Sequence, residues 1–317
     1  MDNLTHSLVG AVLGQMGLKK KTGLAIPTLI IAANLPDIDA SCAFYGIESL
    51  SMRRGITHGP IALLLLPILL WAGMIAFDRW QARRGKRPTG RIPIDKSWLL
   101  ALAYIGCLSH PALVWLNNYG VRLLEPFSSQ WFYGDTLFII DLWIWIALAL
   151  AVWLSVRRER RGSANWQRPA WVGFAAVCAY IFANGLITGP AEKMATSALG
   201  GSGQGDALVV ASPPPLAFWK RDIFWRTADR YGTGSFVPGV GGQLNITGEP
   251  IGMDDPRLAT WVNTEPVARV FLFWARMPVA RSDGDAILIR DQRYMHPLAQ
   301  SRFEVRLTAP DTASHPE

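Results

Sequence analysis

Residues 60–77 run without one charged side chain, and the stretches 97–117, 137–156 and 170–188 are nearly as apolar. About 20 such residues cover the hydrocarbon of a bilayer as a helix, so these segments predict membrane spans with some tilt. Two further apolar stretches, 4–18 and 23–35, are short for that task. Half of the 317 residues are hydrophobic and only 17% are charged. That is too apolar and too charge-poor for an ordinary soluble domain.

The formal net charge of +7 would point to nucleic acid if the basic residues formed one face of a folded domain,. They lie instead in short runs between apolar segments, so no nucleic-acid partner is expected and the runs read as topology signals. Arg79, Arg83, Arg84, Lys86, Arg87, Arg91 and Lys96 fill the connection after the third segment, and Arg157, Arg158, Arg160, Arg161 and Arg168 the one before the last. Loops rich in Lys and Arg stay in the cytoplasm. The connection 118–136, with Arg122 alone, then falls on the opposite side, as do residues 36–59 and everything after 188. The stretch from Asn3 to Leu18 has neither a basic start nor a small-residue cleavage site, so it does not read as a cleavable signal peptide.

This orientation brings a set of polar residues to one depth. His6 opens the first apolar segment, Asp37 and Asp39 close the second, His58 precedes the third, and His110 lies in the outer part of the fourth. Asp135 and Asp141 fall near the same level. Carboxylates beside hydrocarbon are expensive unless paired, wet or bound to a metal, which makes the cluster a functional-site hypothesis. Imidazole with carboxylate suits a divalent metal, zinc first, with manganese or iron as alternatives. An open position on such a metal lowers the pKa of bound water, so hydrolysis is the natural reaction class. Arg53 and Arg54 are the candidates for holding an anionic group.

Each residue has a plainer reading. A single His near a helix end is commonly structural, Asp37 and Asp39 are also helix-cap types, Asp141 also reads as a buried partner for a polar neighbour, and Arg53 and Arg54 also read as interfacial charges. Gly10 and Gly14, four apart, let a neighbouring helix approach closely. Cys42, Cys107 and Cys178 imply no disulfide framework,. His296 and His315 receive no role.

The order Asp2-Asn3-Leu4-Thr5-His6-Ser7-Leu8-Val9-Gly10, Asn34-Leu35-Pro36-Asp37-Ile38-Asp39, Arg54-Gly55-Ile56-Thr57-His58-Gly59, then Ser109-His110-Pro111 with Asn118-Tyr119-Gly120 and Pro126-Phe127-Ser128, resembles the YdjM-like inner-membrane family, described as predicted metal-dependent hydrolases. The resemblance is strong over residues 1–145 and looser beyond. Its motifs look related to those of zinc-dependent phospholipase C and single-strand nucleases, which implies phosphoester hydrolysis as the broad class. In one place the chain departs from the pattern. The family usually reads His-x-x-x-Asp in the fourth motif, and here the fourth residue after His110 is Val114, which cannot coordinate a metal. Asn117 or Asp135 is left as a substitute, and a structural metal without hydrolysis is the other outcome.

Beyond residue 188 the character changes. Gly200-Gly201-Ser202-Gly203-Gln204-Gly205 reads as a flexible linker, Ala207–Ala211 as a short strand and Ser212-Pro213-Pro214-Pro215 as a stiff turn,. Ala268–Trp274, Ala286–Ile289 and Phe303–Leu307 read as strands, with Ser282-Asp283-Gly284-Asp285 as a turn. Trp219, Trp225 and Trp274 are expected in a core before a lipid or glycan surface. The expected architecture is therefore mainly α: a polytopic transmembrane helical domain, 1–188, carrying the metal site, followed by a small β-rich extracytoplasmic domain, 189–317. The partners expected are the lipid bilayer and a lipid or phosphoester substrate. A non-catalytic membrane scaffold whose exported domain binds a partner is the rival reading, with a transporter third.

Overall fold

The computed structural model describes residues 1–296 and 302–309, so His315 lies outside the described residues. The chain divides into two compact units. One comprises Met1–Asp39, Arg54–Thr188 and Ser212–Trp219; the other comprises Ala40–Arg53, Gly189–Ala211 and the described part of Lys220–Glu317.

The first unit is helical. Its elements are α1 (Asn3–Gln15), α2 (Ala25–Asn34), α4 (Pro60–Arg83), α5 (Lys96–Trp115), α6 (Leu142–Arg160) and the first part of α7 (Arg168–Gly201), while α3 (Ser49–Met52) belongs to the other unit. Among the described residues three helices are long and apolar enough to cross a membrane: α4, α5 and α7. The segment expected over 137–156 does not join them. Its helix begins only at Leu142, because the Asp141 carboxylate caps it by accepting from the Trp143 and Ile144 amides, and its last turn carries Arg157, Arg158 and Arg160. The segments 4–18 and 23–35 are short helices, of 13 and 10 residues.

Close packing of α1, α2 and α5 sets the positions of His6 and His110. A Cβ on Gly10 would come within 2.8 Å of the Leu29 carbonyl oxygen, and one on Gly106 within 2.6 Å of the Ala32 side chain. Glycine at both places therefore lets α1 and α5 press onto the same stretch of α2. The start of α1 is held in turn by Asp2. Its carboxylate accepts from the Leu4 and Thr5 amides, and the Trp145 indole of α6 donates to Thr5 Oγ1 at 2.9 Å. After α2 the chain continues as a 3₁₀ stretch, Leu35–Glu48, broken at Gly46, and a second short 3₁₀ turn, Ile56–His58, leads into Pro60 at the start of α4.

The second unit holds the β structure. One sheet runs β1 (Leu208–Ser212), β2 (Arg221–Arg226), β3 (Arg230–Val237) and β4 (Gly241–Leu244), with β5 (Glu249–Pro250) also on β3; β2, β4 and β5 each meet β3 antiparallel. The other is an antiparallel trio, β6 (Pro278–Asp283), β7 (Ala286–Asp291) and β8 (Glu304–Leu307). Trp225 and Trp274 are fully buried in this unit, whereas Trp219 is half exposed. The expected strands near 208, 286 and 304 and the turn at Gly284 are present. Two expectations are corrected. Residues 200–201 continue α7 rather than opening a linker. The run 268–274 is helix α9 (Pro266–Trp274), which follows α8 (Pro256–Thr264). Pro266 starts α9, and Ala268, Phe271 and Trp274 are its buried residues, a spacing of three that suits a helix face and not a strand,.

Candidate metal centre

Helix geometry explains the meeting of the histidines. His6 lies one turn before Gly10 on α1, and His110 one turn after Gly106 on α5, so each projects from the face that the glycine presses onto α2,. Both reach the C-terminal end of α2, where the chain turns through Asp37 and Asp39. The His6 and His110 rings stack with centroids 3.8 Å apart. His6, Asp37 and His110 each offer a ligand atom within 4.8 Å of the other two. His58 enters from the turn before α4, its Nε2 at 3.1 Å from His110 Nε2 and 3.7 Å from Asp37 Oδ1. All three histidines are fully buried, and both aspartates are buried.

The outer hydrogen bonds fix what the inner atoms can do. His110 Nδ1 lies 2.7 Å from the Ala33 carbonyl oxygen, which only accepts, so Nδ1 carries a proton and Nε2 is the atom left to act as a ligand,. The Thr57 hydroxyl donates to Asp39 Oδ2 at 2.8 Å, so its oxygen, 3.0 Å from His58 Nδ1, accepts from that ring nitrogen. His58 Nε2 is then left as a ligand atom as well. In those tautomers two bare nitrogens and Asp37 Oδ1 face one another at 3.1 Å, 3.5 Å and 3.7 Å. Such lone pairs repel unless a cation lies between them. Zinc with bonds of about 2.0–2.1 Å has ligand atoms roughly 3.3 Å apart when tetrahedral, which these separations bracket.

Further acceptors point the same way. Both ring nitrogens of His6, Asn34 Oδ1, Asp37 Oδ1 and Asp39 Oδ1 are buried without a hydrogen-bond partner among the described residues. Buried polar atoms are nearly always satisfied, so three unmet carboxylate and amide oxygens, with one ring nitrogen of His6 as a further acceptor, ask for a positive charge,. The residues present therefore fit a divalent metal.

Asp39 stands one step out. Its Oδ2 accepts from the Thr57 hydroxyl and from the Arg54 amide at 2.7 Å, and lies 3.5 Å from His58 Nδ1. This is the carboxylate–imidazole arrangement that orients metal-binding histidines. Burial alone would raise the Asp37 carboxyl, but it is held below the usual carboxylate range by His110 and His58, which act in this way only when they carry a second proton, and by Arg54. Burial likewise opposes ionisation of Asp39, and His58, the Thr57 hydroxyl and the Arg54 amide more than offset it. For His58 burial is the largest influence and lowers its pKa despite Asp39. Ionised carboxylates beside a neutral imidazole are the protonation states that metal binding requires.

The other expected residues occupy different places. The Arg54 guanidinium donates to Asn117 Oδ1 at 3.0 Å and to the Gly120 carbonyl at 3.2 Å, and lies over the Tyr119 ring. Arg54 is buried with φ of 55°. Arg53 belongs to the second unit. Asp141 caps α6 and accepts from the Tyr180 hydroxyl at 2.8 Å, the plainer of its two readings. Asp135 is buried, and its backbone carbonyl accepts from the Thr188 hydroxyl. Val114 is fully buried on α5. Two groups escaped the sequence reading: Thr57, whose only signal was its place beside His58, and the Ala33 carbonyl, which has none.

Helices of membrane-crossing length together with a buried histidine and aspartate cluster define a membrane protein with a candidate metal site. The family model described as the YdjM inner membrane protein matches residues 1–191, and the chain belongs to that family. No curated protein and no solved structure matches it.

Proposed function

We propose that the chain is a membrane-bound, metal-dependent hydrolase acting on a phosphoester, or on a lipid-like molecule that bears one, at the outer face of the inner membrane. The observation that carries this reading is the convergence of His58 Nε2, His110 Nε2 and Asp37 Oδ1 at 3.1 Å, 3.5 Å and 3.7 Å. His6, Asp37, His58 and His110 would hold the ion, with Asp39 orienting His58. The donor set favours zinc, with manganese or iron as alternatives. A bound ion of this kind acidifies a coordinated water and polarises a phosphoryl oxygen. Arg54, in the same unit as these ligands, is assigned to the anionic group of the substrate, and Arg53, which belongs to the other unit, is given no part in it. The basic connections at 79–96 and 157–168 support a cytoplasmic side there, leaving the transmembrane domain 1–188 to open outward and residues 189–317 to form the exported domain,.

Elemental mass spectrometry of the detergent-purified protein tests the site. Near-stoichiometric zinc, manganese or iron is expected, falling by more than half in His58→Ala. A wild-type protein without metal would defeat the reading. The buried Val114 favours a second one, in which the metal only ties helices together and the exported domain binds a partner. Val114→Asp separates the two. Phosphoester hydrolysis that appears only in this variant would identify a lapsed enzyme, whereas activity already present in the wild type supports the hydrolase.

A further inference from the structure

The connection that carries Asp37, Asp39 and His58 also carries apolar side chains that have no part in their cluster. Phe44 is 95% exposed, Tyr45 62% and Met52 48%. Between Ala40 and Arg53 the sequence holds one acidic side chain, Glu48, and one basic, Arg53. Exposed apolar side chains gathered on a stretch so poor in charge mark a surface that something covers.

The covalent frame indicates what covers it. The Arg54 amide donates to Asp39 Oδ2 at 2.7 Å, which closes the base of the loop 40–53. Six residues beyond that base Pro60 opens α4, a helix long and apolar enough to cross a membrane, with Ile61 and Leu64 of its first turns exposed. The loop is thus tethered where the chain enters hydrocarbon. Aromatic side chains favour that depth, and tyrosine, with an apolar body and a polar tip, suits the headgroup layer. Gly46, at φ of 60°, turns the chain directly after Tyr45 and leaves Phe44 and Tyr45 at the tip,.

We infer that the loop 40–53 is an interfacial anchor whose Phe44 and Tyr45 seat in the lipid headgroup layer, and that the ligand reaching the metal cluster is an amphiphile taken from that layer. The second half rests on the hydrolase reading; the anchor does not. Lipid is preferred over a protein partner as the occupant because the loop is tied to the start of a membrane-length helix.

Spin labels at Phe44→Cys and Tyr45→Cys test the anchor. The full chain would be held in nanodiscs of phosphatidylethanolamine and phosphatidylglycerol, with Cys42, Cys107 and Cys178 replaced by alanine and a label at exposed Thr264 as the reference. Labels at 44 and 45 that collide with oxygen but are shielded from a water-soluble nickel chelate, relative to the reference, are expected. Chelate access equal to the reference, or shielding from both reagents as under a protein partner, would overturn the anchor. Metal content of the same sample separates the two halves: shielded labels without bound metal support the anchor and defeat the hydrolase reading. With metal bound, the double variant Phe44→Ser, Tyr45→Ser should slow hydrolysis of a long-chain phosphoester in vesicles several-fold and leave a short-chain soluble analogue unchanged. Equal effects on both substrates would overturn the lipid-fed site.

Discussion

At the scale of single residues, the ligand types were legible because histidine and aspartate beside hydrocarbon are costly and rare, so their mere presence at the ends of apolar runs is informative. His6, Asp37, His58 and His110 do meet, and Asp39 joins them through Thr57 and His58. Illegible were the groups that fix proton positions. A backbone carbonyl such as that of Ala33 leaves no trace in a sequence, and a threonine is common everywhere. Thr57 is nevertheless expected to matter. Thr57→Val removes both the acceptor for His58 Nδ1 and a donor to Asp39, and partners of this kind commonly contribute 10- to 100-fold in metal affinity. Competition with a fluorescent chelator should show a loss of about tenfold or more; an unchanged affinity would mean that Thr57 does not orient the imidazole.

At the scale of elements, the helices of the first unit were readable from apolar length, and the close approach of α1 to α2 from Gly10. The role of Gly106 was hidden, because one glycine in an apolar helix has no period to announce it. Confusion of α9 with a strand has a similar cause. Val270-Phe271-Leu272-Phe273-Trp274 is apolar throughout and so shows neither period, and only Pro266 and the three-residue spacing of buried positions decide for a helix,. Asp141 offers a test of a cap. Asp141→Ala removes the carboxylate oxygen that accepts from the Trp143 and Ile144 amides, and the Tyr180 bond, and should cost about 1–2 kcal/mol,, seen as a lower Tm in detergent; an unaltered Tm would show that the start of α6 is held elsewhere. In the second unit Asp291 is fully buried against Arg293, whose guanidinium reaches both carboxylate oxygens. Burial alone would raise the Asp291 carboxyl, and Arg293 more than offsets this, so its pKa lies below the ordinary value. A carboxylate depressed in the folded state stabilises above its unfolded pKa, and that contribution is lost as pH falls through the folded one. Asp291→Asn should therefore destabilise the unit by about 3 kcal/mol near neutrality and flatten the acid limb of its unfolding curve below the normal carboxylate range. An acid limb that keeps the wild-type slope would assign it to other groups.

For the whole molecule, membrane class followed from composition and from runs of uncharged residues, and the family match over 1–191 agrees with it. Finer organisation was less visible. A stretch as short as Ala40–Arg53 groups with residues far along the chain in the second unit, since compactness depends on contacts between distant segments and not on sequence neighbourhood. Sidedness is open to direct measurement. Single cysteines placed at Arg87 and at Asp206, in a background without the native ones, should label oppositely with an impermeant maleimide in intact cells: Asp206→Cys modified, Arg87→Cys modified only after lysis. The reverse pattern would invert the proposed orientation. The residues of the candidate metal cluster come from α1, from the connection between α2 and α4, and from α5, so residues 6 and 110 must both be present before the cluster exists. Synthesis proceeds from the N-terminus, and a nascent chain that has not yet delivered α5 to its place carries an incomplete ligand set. Any metal this cluster takes up would therefore wait until α5 has joined α1 and α2, which would set loading after the synthesis of α5 in the protein's own biogenesis.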